Sequence, residues 1–416
     1  MAGRVQNRGL WMDEDKSYRS EFSRGWKTVA GGTIGMTFGI SALPFYTLGV
    51  FVKPIQAETG WSREEVQLGF AALMVGLLLF GWIWGIAVDR FGSRKVALAA
   101  QAGLGTGLIL LPNFTGSLTS WYLGWGLVAL LGAGTTPVTW TRCINGWFDG
   151  ARGAALGLTL MGTGITAIVA PPLITMVLET RAWGDGYRLL GGSVILLAMP
   201  LVWLTFRDAP ALTETDRPLE GASRGAALKD YRFWVIFLTI SCVAFAIGGI
   251  IPSLVPLLTD RGMAVGDAAG YAALVGVAVI IGRVSAGLLI DRFWAPAVGA
   301  VLLAVPLAGS LLLIGTLPSP LLIGVAVFLV GLTAGAEFDL LAYLTGRYFG
   351  MKNYGFLYAI QTVGLLLTAG LAPPIFGRVF DTMGSYDPAL MVSAGLFLVA
   401  PPLLLTLGRY PVRFEK

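Results

Sequence analysis

Long, unbroken apolar segments follow one another from residue 27 to residue 408. Each is close to the roughly 20 residues that an α-helix needs to cross a bilayer. Because apolar residues run continuously and do not alternate with polar ones, the segments predict helices and not the strands of a barrel. The predicted fold class is therefore all-α integral membrane. We assign twelve transmembrane helices, at residues 27–52, 64–88, 95–112, 120–141, 152–178, 187–205, 232–258, 268–290, 295–316, 320–344, 354–378 and 387–408.

The composition excludes several classes of protein. Apolar residues make up 55% of the chain and charged residues only 13%, which is too little charge to cover a soluble domain. The two Cys residues and the absence of His leave no disulfide framework, metal-ligand spacing or Ser/His or Cys/His constellation. No Gly-Lys-Ser/Thr phosphate loop occurs. We therefore expect neither an enzyme nor a cofactor, metal or nucleic-acid partner.

The positions of Lys and Arg predict which side of the membrane each loop faces. With both termini placed in the cytoplasm, 22 of the 29 Lys and Arg residues fall on the cytoplasmic side and six on the outer side. Positive residues are enriched in cytoplasmic loops, so this orientation is strongly favoured over its reverse. Residues 1–26 then form a mobile cytoplasmic tail, and residues 409–416 form a second one.

The two halves of the chain are repeats. Asp89-Arg90-Phe91 recurs as Asp291-Arg292-Phe293, and Pro171-Pro172 recurs as Pro373-Pro374, both at a shift of 202 residues. The repeats indicate two six-helix bundles, at residues 27–205 and 232–408, joined by a cytoplasmic linker at residues 206–231. Parallel halves of this kind place a substrate site at their interface near the middle of the bilayer.

Arg283 is the one charged residue in the apolar run 270–290. A guanidinium does not lose its proton, and at membrane depth it costs at least about 2.5–3.5 kcal/mol, so it should face a water-filled cavity or a partner. Its repeat equivalent is Gly81, which suggests a site residue and not a scaffold residue. Arg283 is predicted to hold an anionic substrate. The alternative is a permanent pair with Glu337 or Asp339.

Glu337 and Asp339 are the only acids deep inside an apolar run, in predicted helix ten. Two residues apart on a helix, they point roughly 200° apart, so at most one should face Arg283. Burial raises the pKa of a carboxyl group and a nearby Arg lowers it, and a site that loads and unloads an anion would alternate between these limits. Either acid is therefore a candidate proton carrier. Alternatively, they bind neighbouring helices, Arg347 or Arg378.

The loop between predicted helices two and three resembles the cytoplasmic motif of the major facilitator superfamily. It reads GIAVDRFGSRK over residues 85–95; with the twelve helices and the repeat, the resemblance covers residues 27–408. It implies a transporter whose motif latches the two halves on the cytoplasmic side, although such a loop could also serve only to fix topology. The second copy departs from the motif at Trp294. The implied gate residues are Gly85, Asp89, Arg90, Gly92 and Arg94.

A narrower resemblance is to the monocarboxylate transporters and the bacterial oxalate–formate exchangers. It rests on NGWFDGARGAALG at residues 145–157 and on Arg283 with the following Ser285-Ala286-Gly287. In those families the helix-eight Arg holds the substrate carboxylate. The chain departs where they carry an Asp, a helix-one Lys and a helix-eleven Lys, since it has Val279, Tyr46 and Gln361. With one buried cation, a dicarboxylate would keep a charge unpaired, which favours a monoanion.

Four further side chains are candidates for lining the cavity. Alignment with those families supports Tyr46 and Gln361, whereas the other two candidates, Tyr122 and Tyr358, lack that support. For each, packing or interfacial anchoring is an equally good explanation, and Tyr122 lies where an aromatic belt is expected.

These observations predict a secondary transporter that moves a small organic monocarboxylate, with a proton, by alternating access in a bacterial inner membrane. We expect its partners to be a small organic anion, a proton and the lipid bilayer, and we expect a monomer. The alternatives are an organic-anion exchanger of the oxalate–formate type, an exporter of a larger acidic metabolite, and a membrane sensor. A sensor would need a signalling domain, for which neither the N-terminal tail nor the linker is long enough.

Overall fold

The computed structural model describes residues 3–148, 151–208, 221–317 and 319–411. The helices of the first half are α1 Gly3–Thr37, α2 Leu43–Thr59, α3 Arg63–Phe91, α4 Ser93–Leu110, α5 Leu118–Gly132, α6 Pro137–Trp147, α7 Arg152–Leu160, α8 Gly162–Leu178, α9 Trp183–Ser193 and α10 Met199–Thr205. Those of the second half are α11 Arg224–Lys229, α12 Tyr231–Asp260, α13 Val265–Arg292, α14 Ala295–Ala304, α15 Pro306–Leu312, α16 Pro320–Phe349, α17 Tyr354–Met383 and α18 Asp387–Val399.

Short helical turns of other types complete several membrane segments. Residues Leu111–Phe114, Ala133–Thr135 and Pro401–Leu407 form 3₁₀ turns, and Val194–Ala198 form a π-helical turn that joins α9 to α10. Within the described parts of the chain, ten segments are long and apolar enough to cross a membrane. They coincide with ten of the twelve predicted helices.

The other two predicted helices are each broken. The first is divided into α1 and α2 by the bend at residues 38–42, which precedes Pro44. The fourth is divided into α5 and α6 by the turn at Ala133–Thr135, which precedes Pro137. Proline has no amide hydrogen and its ring clashes with the carbonyl four residues earlier, so it is tolerated in the first turn of a helix and disfavoured in its interior. Thr136, before Pro137, also has the extended backbone that proline favours in the residue before it. Both breaks therefore follow from the local sequence, and with these two the described residues contain the twelve predicted segments.

The predicted tail at residues 1–26 is helical from Gly3 onward, and its cytoplasmic location stays a prediction. The structure has α1 beginning at Gly3 and continuing as one helix to Thr37. The segment contains no proline to interrupt a helix, and α1 passes through it into the first membrane segment. Residues 412–416 of the predicted C-terminal tail lie outside the described residues.

The two halves meet along helices that the repeat relates to each other. α3 packs against α17, α8 packs against α13, and α2 packs against α12. The close approach of Gly276 to Ile168 has its equivalent, at the shift of 202 residues, in the close approach of Met74 to Gly370. The repeat found in the sequence is thus also present in the contacts between the halves.

The described end of the linker lies on the second half. Gly221 forms an isolated antiparallel bridge with Gly350, and the amide of Ala222 donates to the carbonyl of Phe349 at 2.8 Å. The side chain of Asn353 donates to the carbonyl of Ala222, also at 2.8 Å. Residues 209–220 of the predicted linker lie outside the described residues.

We call the end of the bundle at which α2 ends and α3 begins the outer end, and the opposite end the inner end. These names follow the sidedness predicted from Lys and Arg.

Candidate functional site

Arg283 of α13 and Asp339 of α16 form an ion pair inside the second half. Nη1 of Arg283 donates to Oδ1 of Asp339 at 3.0 Å. Arg283 is 7% exposed, whereas the Asp339 side chain is 27% exposed. The pair uses one nitrogen of the guanidinium, and Nε of Arg283 is buried without a hydrogen-bond partner among the described residues. The structure therefore contains the alternative that the sequence left open, a pair between Arg283 and an acid of predicted helix ten.

Glycines bring these two helices together at the depth of Arg283. A Cβ at Gly282 would collide with the carbonyl of Leu332, and a Cβ at Gly335 would collide with the carbonyl of Val279. Small residues let membrane helices approach closely. Gly282 immediately precedes Arg283, and Gly335 lies one helical turn before Asp339, so the crossing holds the two charged side chains at bonding distance.

Glu337 lies beside this pair but does not join it. Its side chain is buried, at 7% exposure, and Oε2 has no hydrogen-bond partner among the described residues. Arg283 is close enough to act electrostatically on both Glu337 and Asp339. In keeping with the expectation that at most one acid would face Arg283, only Asp339 bonds it, and Glu337 lies within electrostatic range.

Two of the predicted tyrosines lie near Arg283. Tyr46, from α2 of the first half, is within electrostatic range of Arg283 and Glu337. Tyr358, from α17, is within range of Asp339 and Arg283, and its ring stacks on Tyr354 with the centroids 5.5 Å apart. Both halves thus contribute a hydroxyl group to the surroundings of Arg283.

The structure places the other two predicted cavity residues elsewhere. Gln361 is 1% exposed and lies between α16 and α17, where Oγ1 of Thr345 donates to its Oε1 at 2.5 Å. Its Nε2 has no partner within the described chain. Tyr122 lies near Glu64 and Glu65 at the outer end of α3, away from Arg283. Tyr122 is therefore in the position expected of an interfacial aromatic residue.

The residues of the predicted cytoplasmic gate bind their own half in this structure. Asp89 forms an ion pair with Arg142 of α6. The backbone amide of Arg94 donates to Oδ1 of Asp208 at 2.9 Å, and its side chain donates to the carbonyl of Trp203 at 2.6 Å. The expectation that these residues join the halves does not hold in this conformation. The three partners come from α6 at the end of the fourth helix, from α10 in the sixth helix, and from Asp208 just after it.

Three glycines show how the gate motif is built. Gly92 has a φ of +85°, a left-handed angle that glycine adopts without strain, and it allows the sharp turn from α3 into α4. A Cβ at Gly81 or Gly85, earlier in α3, would meet no atom within 4 Å. The inner part of α3 therefore has free space beside it.

Sequence reasoning did not identify Arg142 as the partner of Asp89. The available signal was its position, because Arg142 follows directly on the apolar run of predicted helix four at the inner end.

The halves are joined at the outer end. Gly49 of α2 approaches the carbonyl of Pro252, and Gly377 of α17 approaches Gln67 and the backbone at Glu64. Arg63 of the first half forms an ion pair with Asp260 of the second. These contacts close the outer end, while the inner part of α3 is open beside Gly81 and Gly85. The conformation is therefore closed at the outer end.

Comparison with known proteins agrees with this architecture. Residues 34–373 match the Major Facilitator Superfamily. The chain is 28% identical over 400 residues to monocarboxylate transporter 13 of Bos taurus, covering 93% of this chain and 90% of that protein. It is 25% identical over 401 residues to the probable sulfoacetate transporter SauU of Cupriavidus necator, covering 88% and 90%.

A solved structure shares the fold. The bacterial homologue of the human lysosomal transporter Spinster, in an inward-facing and occupied conformation, superposes with a TM-score of 0.67 at 17% identity, covering 95% of this chain and 98% of that one. The predicted fold class and family resemblance are confirmed, as is the expectation that the protein is not an enzyme. By its sequence match over most of its length and by its two six-helix halves, the chain is a multi-pass secondary transporter that belongs to the Major Facilitator Superfamily.

Proposed function

We propose that this transporter moves a small organic monocarboxylate together with one proton by alternating access. Its membrane is the inner membrane of a bacterial cell, with both termini in the cytoplasm. The observation that carries the proposal is the single-nitrogen pairing of Arg283 with Asp339. The guanidinium is buried and keeps unused donors, and a second carboxylate, that of the substrate, can bind to them.

The chemistry of Arg283 suits a carboxylate. The planar guanidinium grips a carboxylate through two parallel hydrogen bonds, and only one of its nitrogens is used by Asp339. Asp339 is more exposed than Arg283, so it is free to turn away as the substrate arrives. Tyr46 and Tyr358 then supply hydroxyl groups from both halves. Tyr46 provides the contact from the first half, whereas Arg283 belongs to the second.

Charge balance accounts for the proton. The site contains one cation, Arg283, and two acids, Glu337 and Asp339. With Asp339 paired to Arg283, a neutral site requires a proton on Glu337. When a monoanion takes over Arg283, a neutral site requires a second proton, on Asp339, because an uncompensated buried charge is costly. One proton is therefore taken up for each monocarboxylate, and Asp339 is its carrier.

The names of the two relatives support an anionic cargo. One is a monocarboxylate transporter and the other a probable sulfoacetate transporter; both named cargoes are organic acids.

The test uses the purified protein in two steps. A thermal-shift screen of some dozens of organic acids selects the acid that stabilises the protein, and proteoliposome uptake of that acid is then measured with and without an inward proton gradient. We expect uphill uptake only with the gradient. If counterflow is seen but no gradient-driven accumulation, the protein is an exchanger. If the wild-type protein moves none of the acids that bind, the proposal fails.

A further inference from the structure

A second carboxylate-binding arrangement lies at the outer end, remote from Arg283. Nη1 and Nη2 of Arg63 donate to Oδ2 and Oδ1 of Asp260 at 2.5 and 3.0 Å. Nζ of Lys53 lies 2.7 Å from Oδ1 of the same carboxylate. The carboxylate of Asp260 is thus held by a two-point guanidinium contact and an ammonium group, which is the geometry of a tight carboxylate site.

The two cations and the acid belong to different halves. Lys53 lies on α2 and Arg63 begins α3, both in the first half, whereas Asp260 ends α12 in the second. When the outer ends separate, Lys53 and Arg63 stay together and Asp260 leaves with the other half.

Hydrogen bonds within the first half hold the connection between α2 and α3, and a further one runs from the amide of Glu64 to Oδ2 of Asp381 in the second half at 2.9 Å. Nε2 of Gln56 donates to the carbonyl of Trp61 at 3.2 Å, and Oγ1 of Thr59 accepts from the amide of Trp61 at 3.3 Å. Ser62 and Glu65 form a reciprocal capping box at the start of α3. Such caps satisfy the free amides of a helix start and fix the direction of the chain. The spacing of Lys53 and Arg63 is therefore set mainly within their own half.

The second half provides the walls around Arg63. The guanidinium lies 3.6 Å from the centroid of the Phe380 ring, and Nη1 also donates to the hydroxyl of Tyr386 at 2.8 Å. Burial raises the pKa of Tyr386 to about 12, so this phenol stays protonated at neutral pH and Asp260 is the negative partner. These walls withdraw together with Asp260 when the outer end opens.

The arrangement has no copy in the other repeat. At the shift of 202 residues, Lys53 corresponds to Val255 and Arg63 to Val265. The equivalent of Asp260 is Glu58, which accepts a hydrogen bond from Trp183 of its own half. The pair of cations is thus specific to the first half at the outer end and is not a requirement of the fold.

We infer that Lys53 and Arg63 form an entry site for external carboxylates, and that Asp260 occupies it as a tethered substitute while the outer end is closed. In the outward-open state the site is free, and it captures a carboxylate at the mouth before the anion reaches Arg283. The inference needs the outer ends to separate, as in alternating access. It does not need Arg283 to bind the cargo.

The test compares two variants that both break the contact between the halves. Asp260→Asn removes the substitute carboxylate and keeps the entry site, whereas Lys53→Gln combined with Arg63→Gln removes the site itself. Both variants also carry Arg283→Gln, which removes the central cation, and Cys143→Ala with Cys242→Ala, which remove the native thiols. Spin labels attached at Thr119→Cys and Met383→Cys report the distance across the outer end, and hence the fraction of molecules in which it is open. The probe is sodium acetate, compared with sodium chloride at equal ionic strength. Arg261→Gln is the control, because Arg261 pairs with Asp387 inside the second half.

If the outer end of a variant is already fully open, acetate cannot raise the open fraction, so a second readout is used. A cysteine replacing Ala57, one helical turn from Lys53, is alkylated with a membrane-impermeant maleimide, and its protection by acetate is measured. We expect acetate to raise the open fraction about twofold or to slow alkylation, in Asp260→Asn and in the control. We expect the acetate concentration for half-maximal effect to rise at least about tenfold in the double variant, as for loss of a charged hydrogen bond.

Equal responses of Asp260→Asn and the Lys53/Arg63 double variant, or no response in either, would overturn the entry site. The contact would then act only as a link between the halves. Because the assay measures no transport and lacks Arg283, a cargo that is not a carboxylate would defeat the proposed function without changing this result.

Discussion

Arg283 and Asp339 are joined by one hydrogen bond of 3.0 Å between crossing helices, and Nε of the same guanidinium is buried without a partner among the described residues. A structural ion pair would be expected to satisfy both partners, because an unpaired buried donor costs roughly 1–3 kcal/mol. The incomplete pairing therefore favours a site that exchanges one carboxylate for another over a permanent structural link.

Replacement of Arg283 tests this directly. Arg283→Ala and Arg283→Lys should lower uptake of the selected acid at least about 100-fold, because lysine cannot reproduce the two-point contact of a guanidinium. Proteoliposome uptake measures the effect, and size-exclusion chromatography checks that the variants fold. Arg378→Lys, whose side chain is 70% exposed, is the control and should transport normally. Uptake that persists in Arg283→Ala would refute the docking role.

The two acids of α16 should behave differently. In Asp339→Asn the anion can bind Arg283 without a proton, so counterflow should continue while accumulation driven by a proton gradient is lost. Glu337→Gln should retain gradient-driven accumulation, since charge balance needs only a neutral group there. Uptake and counterflow are measured on the same liposome preparations. The reverse pattern, with coupling lost only in Glu337→Gln, would move the proton carrier to Glu337.

The site should discriminate by charge. Malonate differs from propionate by a second carboxylate and would leave one negative charge unpaired beside the single cation. We expect malonate to compete with the transported acid at least about tenfold more weakly than propionate at neutral pH. Inhibition of uptake by each acid provides the comparison. Equal inhibition would show that another cation reaches the site.

The crossing of α13 and α16 should be sensitive to a single methyl group. Gly335→Ala forces a Cβ against the carbonyl of Val279 and should lower stability by about 1–3 kcal/mol. Gly287→Ala, on α13, meets no atom within 4 Å and should leave stability unchanged or slightly raised, because alanine favours helix. Thermal unfolding followed by tryptophan fluorescence compares them. Equal stability of the two variants would show that the crossing relaxes freely.

The membrane helices and the repeat could be predicted from the sequence because bilayer thickness fixes helix length and the two halves share spaced motifs. The break before Pro44 follows because proline is tolerated in the first turn of a helix and disfavoured in its interior. The helical start of α1 could not be predicted, since a polar stretch with mixed charge gives no apolar face to mark it. The π-helical turn after α9 likewise has no local signal that we can identify.

The sequence identified Arg283, Glu337 and Asp339 as a group but could not choose between the two acids. Their spacing gives the angle between them on α16, whereas the rotation of α16 against α13 is set by Gly282 and Gly335. The ion pair across the outer end could not be predicted from the sequence either. Arg63 and Asp260 are 197 residues apart, and their contact arises only from the packing of the two halves.

The attachment of Gly221 and Ala222 to the second half has a practical consequence. Since Gly221 and Ala222 are anchored to Gly350 and Phe349, we expect that the protein can be divided into two separately encoded polypeptides at a cut ahead of Gly221. Each fragment would keep its own six-helix bundle, and co-purification of the second fragment with a tagged first one would show that the covalent connection is dispensable for reassembly.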